Sequence, residues 1–210
     1  MLSELTVGRF LEETASRSPA PGGGSVSALA GALACALAEM VACLTSGEKY
    51  IDVAEEMART GAKARECRMK LLECMQRDTD SFNGCMKAFS MPKSTDAERK
   101  VRSEAIQAAL KTAAAVPLET AATASEVLDM ARTVLEHGNP SAASDAIVCA
   151  LLARDAVFGA LLNVRINLGS IKDPGYLADM AAKVDELRRL TAEKATRVLR
   201  CSELSADMAD

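Results

Sequence analysis

The run from Val26 to Thr45 constrains the fold more than any other stretch. Ala, Leu, Val, Met and Cys fill nearly all of its positions, so no polar face is left. This composition predicts a helix over about 25–46, and a helix that is apolar all round belongs in the centre of a bundle. Glu39 interrupts the run, and its alanines make it only weakly hydrophobic. We therefore expect a buried helix of a globular protein rather than a membrane span.

The composition indicates an all-α protein. Aromatic residues make up 3% of the 210 residues and Trp is absent, so the core must be built from small and flexible side chains on closely packed helices. The sequence shows no internal repeat and no strand pattern, and its length fits one domain over 1–210. The predicted architecture is a single antiparallel bundle of about six helices.

Caps, glycines and prolines set the predicted helix limits. We expect Ser3 to cap a first short helix, Gly47 to give a left-handed stop, and Thr95 with Glu98 to form a capping box. The predicted helices are a short one ending near residue 18, then 25–46, 50–90, 95–137, 140–168 and 174–202. The third should break near Asp78 or Gly84, Pro117 should kink or divide the fourth, and the tail 203–210 should fray.

Charge and cysteine usage exclude several function classes. A net charge of −4 and a pI near 5.3 argue against binding to nucleic acid or to an anionic membrane. The seven cysteines show no Cys-x-x-Cys or Cys/His spacing, which predicts reduced and mostly buried thiols. His137 is the only histidine, so we expect no metal site. No targeting segment is apparent, and we expect a cytoplasmic protein.

The loop 19–25 changes abruptly into the apolar helix. Gly22, Gly23 and Gly24 with Ser25 present amide N–H groups ahead of a helix start, where an anion or a ligand carbonyl can be received. A tight turn with Ser25 near the cap is the alternative reading. The loop is not a phosphate-binding P-loop, because no Gly-Lys-Ser/Thr follows.

Polar residues interrupt the apolar pattern of the fifth helix. Asp145 and Asn163 are eighteen residues apart, about five turns, so they share one face with Asn167 one turn further on. Buried carboxylates and amides need partners, either from other helices or from a ligand, and the residues alone favour other helices. Arg165 lies on the opposite face, where it could clamp a carboxylate or pair with an acid at a subunit interface.

Asp78 and Asp80 are a second pair of candidates. Residues two apart on a helix diverge by about 200°, so only one of them can face the core. We expect that one to be Asp80, beside Phe82. His137 stands in the last turn of a helix, a position typical of a residue that compensates the helix dipole.

Six segments together resemble the cyclodeaminase domain of formiminotransferase-cyclodeaminases and its free-standing relatives, which include methenyltetrahydrofolate cyclohydrolases. They are Ser18 to Ser25 with Ala28 to Leu33, Asp78-x-Asp80-x-Phe82, Met91-Pro92-Lys93, Val116-Pro117-Leu118, Gly138-Asn139-Pro140 through Ser144-Asp145, and Gly159 to Leu168. The resemblance implies an all-α homodimer that acts on a tetrahydrofolate derivative and needs no other cofactor. A formiminotransferase would then be a separate partner, because the chain has no room for that domain.

The resemblance also suggests roles for the candidate residues. The implied reaction closes 5-formiminotetrahydrofolate to 5,10-methenyltetrahydrofolate and releases ammonia, which requires a group that moves protons. We expect Asp145 in that role, with Asp80 as second candidate. The substrate would be bound by Asn163, Asn167 and the amides of Gly22, Gly23, Gly24 and Ser25. The glutamate carboxylates of a monoglutamylated or polyglutamylated folate would be bound by Lys49, Lys93 and Arg165.

Two other functions fit the same sequence. A cyclohydrolase would open the methenyl bridge to 10-formyltetrahydrofolate with water, using much the same pocket. A non-catalytic folate-binding or dimerisation module would keep only the scaffold. Retention of Asp80, Asp145, Asn163 and Asn167 argues against the module, because burying such residues without a function is costly.

Overall fold

The computed structural model describes residues 1–208, which form six α-helices and no strand. The helices are α1 (Val7–Thr14), α2 (Gly23–Leu44), α3 (Ala54–Phe89), α4 (Asp96–His137), α5 (Ala143–Leu168) and α6 (Pro174–Arg200). The all-α bundle expected from the sequence is confirmed.

Helix α2 lies at the centre and packs against α3, α4 and α5. Its contact faces carry glycine, alanine and serine, so neighbouring helices approach closely. A Cβ added to Gly31 would lie 3.1 Å from Leu71 Cδ1 and 3.5 Å from Ala124 Cβ. Leu71 and Ala124 are themselves fully buried. The small side chains of α2 thus allow a dense core with few aromatic residues.

Two segments, α2 and Pro140–Leu168, are long and apolar enough to cross a membrane by length and composition. Half of the most apolar window in each is buried inside the bundle. Core helices of globular proteins have the same length and composition.

Helices α2 and α5 run antiparallel, which gives the bundle two distinct ends. At one end Gly23 meets Asn163, and we call this the glycine end. At the other, the far end, Thr45 Oγ1 accepts a hydrogen bond of 2.9 Å from the Asn139 amide just before α5. Residues at the two ends are separated by the full length of these helices.

Several expected local signals are confirmed. Thr95 Oγ1 accepts from the Glu98 amide at 3.2 Å, and Glu98 Oε2 accepts from the Thr95 amide at 2.9 Å, which forms the capping box. Gly47 has φ of 94°. All seven cysteines are free thiols and five of them are buried.

The expected break in α3 and the expected division of α4 at Pro117 were wrong. Helix α3 continues through Asp78 and Gly84, and α4 runs unbroken through Pro117 for 42 residues. Packing along their whole length holds both helices together despite local breakers. Ser3 does not cap α1, since Thr6 accepts from the Arg9 amide there.

Residues 203–208 are folded rather than frayed. Ser205 is fully buried and donates a 2.8 Å hydrogen bond to the Leu199 carbonyl, and a 3₁₀ turn follows at Ala206–Met208. The expected fraying is therefore wrong for residues 203–208. Residues 209–210 lie outside the described part of the chain.

Two glycines with open space around them give a matched stability test. Neither Gly47 nor Gly84 has an atom within 4 Å of an added Cβ, but only Gly47 has positive φ. Gly47→Ala should lower the free energy of unfolding by about 1–2 kcal/mol because an L side chain is strained there. Gly84→Ala in α3 should raise it by up to about 1 kcal/mol. Urea denaturation would measure both, and equal effects would contradict the role assigned to φ.

Candidate functional site

A cleft of about 320 Å³ opens at the glycine end between α2, α3, α4 and α5. Phe82, Met86 and Phe89 of α3 give it an apolar and aromatic wall. The polar side chains that line it include Asp78 of α3 with Asn163 and Asn167 of α5. The site therefore combines a flat apolar surface with a few directional polar groups, as small-molecule pockets do.

Asp78 is the carboxylate of this cleft, and it lies against the first turn of α2. The Ser25 hydroxyl is 2.9 Å from Asp78 Oδ2 and donates to it, and the Ser25 backbone N–H also bonds to this carboxylate. A Cβ on Gly24 would lie 2.6 Å from the carboxyl carbon, so only glycine permits this approach. Burial raises the pKa of Asp78, and the Ser25 hydrogen bonds oppose that rise.

Asp80 lies on the opposite side of α3. It is exposed, and its carboxylate accepts a 3.0 Å hydrogen bond from Gln76 Nε2 on the same helix. The expectation that Asp80 faces the core was wrong, because the unbroken helix turns Asp78 inward and Asp80 outward. The catalytic role given to Asp80 stays a prediction.

The two asparagines are in the cleft, and each is held by the backbone. Asn163 Nδ2 donates to the Gly159 carbonyl at 2.9 Å. Asn167 Nδ2 donates to the carbonyls of Ala113 at 2.8 Å and Asn163 at 2.9 Å, which uses both of its amide hydrogens. Each side chain thus keeps its carbonyl oxygen as an acceptor for a ligand, and Asn163 keeps one N–H as well.

Pro117 explains why Asn167 is anchored in this way. A proline inside a helix has no N–H, so the carbonyl four residues earlier loses its helical partner. That carbonyl belongs to Ala113, and it is the one that accepts from Asn167 Nδ2. Pro117 therefore creates the backbone acceptor that orients a polar side chain of the cleft.

The glycine loop also reaches the cleft as expected. Gly22, Gly23 and Gly24 line it at the start of α2, where the first N–H groups of a helix have no helical partner. Gly22 is the N-cap residue and gives no side-chain bond. Ser25 lies one step behind the glycines, fully buried, and faces α3 rather than acting as the cap.

Two of the expected site residues lie at the far end. Asp145 is half-buried in the first turn of α5. Its eighteen-residue separation from Asn163 corresponds to about 27 Å along the helix axis. Lys49 is exposed in the 3₁₀ segment Glu48–Val53, with its Nζ 4.5 Å from the centroid of the Tyr50 ring. The structure does not bring either residue to the cleft of its own chain.

The other two expected cations lie outside the cleft lining. Lys93 is exposed in the loop that follows α3. The last residue of α3, Phe89, lines the cleft. Arg165 is exposed and pairs with Asp185 of α6 at 3.5 Å. His137 Nδ1 lies 2.6 Å from Glu56 Oε2, which ties the end of α4 to the start of α3.

Chemically, the cleft is suited to a flat ligand that carries positive charge and exchanges a proton. The aromatic and sulfur-bearing wall can cover a heterocycle, and the carboxylate can balance a cation. Within residues 1–208, no three His, Cys, Asp or Glu side chains gather in a way that could hold a metal ion. The structure therefore defines the protein as an all-α bundle with a small-molecule cleft, in which the half-buried carboxylate of Asp78 lies near the amide side chains of Asn163 and Asn167.

Comparison with known proteins gives the family. The family model described as formiminotransferase-cyclodeaminase matches residues 6–186. The chain is 37% identical to a methenyltetrahydrofolate cyclohydrolase of Methylorubrum extorquens over 92% of both chains. It is 34% identical to the rat formimidoyltransferase-cyclodeaminase over 94% of this chain but only 37% of the rat protein. The chain belongs to the formiminotransferase-cyclodeaminase family.

A solved structure supports the same assignment. The crystal structure of a formiminotetrahydrofolate cyclodeaminase from Thermotoga maritima superposes with a TM-score of 0.85 at 34% identity. The match covers 95% of this chain and 96% of that one. The helical bundle described above is therefore the fold of that protein too.

Sequence reasoning named Asp78 but preferred Asp80, although the sequence contained the deciding signal. Leu71, Cys74 and Met75 are buried on one face of α3. Asp78 continues that face at the helical spacing of three and four residues, whereas Asp80 leaves it. Comparison of the helical positions of Asp78 and Asp80 with the buried face of Leu71, Cys74 and Met75 selects Asp78.

The link between Pro117 and Asn167 can be tested by replacing the proline. In Pro117→Ala the new amide N–H competes with Asn167 for the Ala113 carbonyl, while removal of an interior proline favours the helix. The expected result is an unchanged or higher Tm with weaker ligand binding. Loss of about 1 kcal/mol of hydrogen bonding corresponds to a roughly fivefold rise in Kd or KM.

Asn167→Ala is the matched comparison for that experiment. It should weaken binding by a similar factor without raising Tm, and adding Pro117→Ala to it should change binding little further. Additive effects of the two substitutions would show that Pro117 does not act through Asn167.

Proposed function

We propose that this protein is a formimidoyltetrahydrofolate cyclodeaminase in which Asp78 is the acid and base. It closes 5-formiminotetrahydrofolate to 5,10-methenyltetrahydrofolate and releases ammonia. The observation that carries the proposal is the half-buried Asp78 carboxylate beside an aromatic wall in a cleft that also holds Asn163 and Asn167. Family membership supports the substrate class.

The reaction needs one proton to be moved within the site. N10 attacks the formimino carbon and forms the new C–N bond, and its proton passes to the Asp78 carboxylate. Asp78 then protonates the nitrogen of the former formimino group. The bond between this nitrogen and the one-carbon unit breaks, and ammonia leaves. The methenyl product keeps the single positive charge of the protonated substrate, so proton and charge balance. Asp78 ends ionised, and its charge balances the cationic product.

The other cleft residues position the substrate. Phe82 and Phe89 supply flat apolar surface for the pterin ring, and the free amide oxygens of Asn163 and Asn167 accept from its N–H groups. Holding N10 next to the formimino carbon makes the ring closure effectively intramolecular. The raised pKa of Asp78 suits a group that must both take and return a proton.

Methenyltetrahydrofolate cyclohydrolase is the second candidate, favoured by the Methylorubrum relative that matches over 92% of both chains. In that reaction water adds to the methenyl carbon and loses a proton to Asp78. The bond from that carbon to N5 then breaks as N5 takes a proton, which gives 10-formyltetrahydrofolate and one released proton. The same carboxylate and the same cleft serve both reactions.

Parallel assays on the wild-type protein separate the two candidates. Gain of the methenyl chromophore with release of ammonia from 5-formiminotetrahydrofolate establishes the cyclodeaminase. Faster loss of that chromophore from 5,10-methenyltetrahydrofolate, with no reaction of the first substrate, establishes the cyclohydrolase. Folate binding without either reaction would leave only the binding-module function.

Substitution of the three aspartates tests which carboxylate acts. Asp78→Asn should lower kcat by about 100-fold or more, the usual contribution of a general acid or base. Its Tm at pH 7 should be equal to or above that of the wild type, because a buried charge is removed. The measurements are steady-state kinetics and thermal denaturation followed by circular dichroism.

Asp80→Asn and Asp145→Asn are the matched controls, since the structure places both outside the cleft of their own chain. Each should keep kcat within about threefold if Asp78 is the acting group, because neither Asp80 nor Asp145 lines the cleft. Near-normal turnover of Asp78→Asn would refute the assignment. Selective loss in Asp145→Asn or Asp80→Asn would instead support the expectation from the sequence.

For the glutamate tail of the folate, Lys93 is the strongest of the three expected cations. Its loop follows Phe89 at the glycine end, whereas Lys49 is at the far end and Arg165 already pairs with Asp185. We further propose a cytoplasmic protein with no cofactor beyond its tetrahydrofolate substrate. For the cyclodeaminase, a separate formiminotransferase would supply that substrate.

We also propose a homodimer formed through an apolar stripe on α2. Val26, Leu33, Met40 and Leu44 are exposed at helical spacing along the whole of this helix. Leu162 and Ile166 of neighbouring α5 are exposed as well. Contiguous apolar surface of this kind is typical of protein interfaces, and a twofold contact lets one stripe cover its copy.

A charge placed in the stripe tests the dimer. Leu33, at 51% exposure, tolerates replacement within its own chain, so Leu33→Glu should fold and sediment as a monomer while the wild type sediments as a dimer. Val101→Glu on α4, at 55% exposure, is the control and should not change the mass. A wild-type monomer, or dimeric Leu33→Glu, would contradict the proposed surface.

A further inference from the structure

Ser25 is a fully buried hydroxyl surrounded by three oxygen atoms of α3. Its Oγ lies 2.9 Å from Asp78 Oδ2, 3.0 Å from the Met75 carbonyl oxygen and 3.2 Å from Thr79 Oγ1. A serine hydroxyl carries one proton and two acceptor sites. It can therefore donate to Asp78 or to Met75 at a given moment, but not to both.

The two choices match the two protonation states of the carboxyl group. When Asp78 is ionised, Ser25 donates to Oδ2 and accepts from the Thr79 hydroxyl. When Asp78 is protonated, its O–H donates to Ser25 Oγ, and Ser25 turns its own proton to the Met75 carbonyl. Both arrangements use the distances observed, and only the hydroxyl hydrogens have to rotate.

We propose that Ser25 is a positioning residue whose rotating hydroxyl keeps Asp78 hydrogen-bonded, and therefore fixed in place, in both of its protonation states. The inference deepens the proposed function, in which Asp78 takes a proton from N10 and returns it to the leaving nitrogen. Without such a partner, one of the two states would leave a buried polar atom unpaired, which costs about 1–3 kcal/mol.

The surroundings make Ser25 the only adjustable partner of Asp78 on α2. The neighbouring position 24 is glycine, and a backbone N–H, such as that of Ser25, can donate but never accept. Cys85 is the titratable group of the cleft besides Asp78, and its thiol pKa is raised by burial. The adjacent Arg77 pairs with Glu119 at 2.8 Å, and the residues that α5 presents to the cleft, Asn163, Ile166 and Asn167, carry no charge.

A purely structural reading treats Ser25 as a tie between α2 and α3 whose hydroxyl donates to the Met75 carbonyl in both protonation states of Asp78. That reading predicts that loss of the hydroxyl lowers stability and leaves the titration of Asp78 as it was. The positioning role predicts that the titration moves, because the bond that Ser25 donates to the ionised carboxylate is charge-assisted and therefore stronger than the bond that it accepts from the protonated carboxyl group. The pH dependence therefore separates the two.

Ser25→Ala is the direct test. The expected kcat is lower by about tenfold or more with KM within about twofold, and the rise of kcat with pH should move to higher pH, because the pKa of Asp78 rises without the hydroxyl. Ser27→Ala is the control: Ser27 is also buried on α2, but its hydroxyl bonds only to the Gly23 carbonyl at 2.7 Å. It should leave kcat, KM and the pH profile unchanged.

Two further variants complete the design. In the Asp78→Asn background, Ser25→Ala should have no additional effect on kcat, because both substitutions disrupt the same hydrogen-bonded Ser25–Asp78 pair. Ser25→Cys keeps a weaker donor of similar size and should give a kcat between those of the wild type and Ser25→Ala. A pH profile of Ser25→Ala that coincides with the wild-type profile overturns the inference.

A carboxyl ¹³C NMR titration keeps the inference separate from the proposed reaction. It follows the pKa of Asp78 in wild type and Ser25→Ala without any folate. A higher midpoint in Ser25→Ala supports the positioning role even if neither folate reaction is observed. An unchanged midpoint overturns it, even if the protein proves to be a cyclodeaminase.

Discussion

The contact between the Asp78 carboxylate and the first turn of α2 is the interaction on which the rest of the structure depends. It requires glycine at position 24, a small hydrogen-bonding residue at position 25, and an unbroken α3 that turns Asp78 inward. It also places a negative group at the N-terminus of α2, where the free N–H groups of the first helical turn point outward. The cleft is built around that meeting of a carboxylate with a glycine-rich helix start.

The same contact has a thermodynamic consequence. Burial raises the pKa of Asp78 above its unfolded value, so the native state binds a proton more tightly than the unfolded chain does. The ionised carboxylate therefore opposes folding. This penalty is absent below the ordinary aspartate pKa and is fully present once the pH exceeds the raised value. A destabilising group kept in a cleft fits a functional role, because sites commonly trade stability for activity.

Small side chains on α2 determine how closely the other helices pack around it. Because α2 is lined with glycine, alanine and serine, three long helices approach it closely and hold the cleft walls with few aromatic residues in the core. Pro117 leaves the Ala113 carbonyl without a helical partner, and this carbonyl is one of the two that accept from Asn167. The far end, with Asp145 and Lys49, is separated from this arrangement by the length of α5.

Much of the fold could be predicted from the sequence, since apolar periodicity and capping signals fix the helices. The continuity of α3 and α4 could not, because tertiary packing overrides local breakers such as Gly84 and Pro117. At the site, the eighteen-residue spacing of Asp145 and Asn163 gave their common face and their separation of about 27 Å, but not which end of the bundle carries the cleft. The choice between Asp78 and Asp80 depends on which of them shares a helical face with the buried residues of α3, and the sequence contained that information.

A crystal structure with bound 5-formyltetrahydrofolate would test the central claim most directly. This compound carries an oxygen in place of the formimino nitrogen, so it cannot lose ammonia. We expect the pterin to lie against Phe82 and Phe89, with the one-carbon group and N10 within hydrogen-bonding reach of Asp78. A ligand bound at the far end beside Asp145, or in the cleft with its one-carbon group turned away from Asp78, would contradict it.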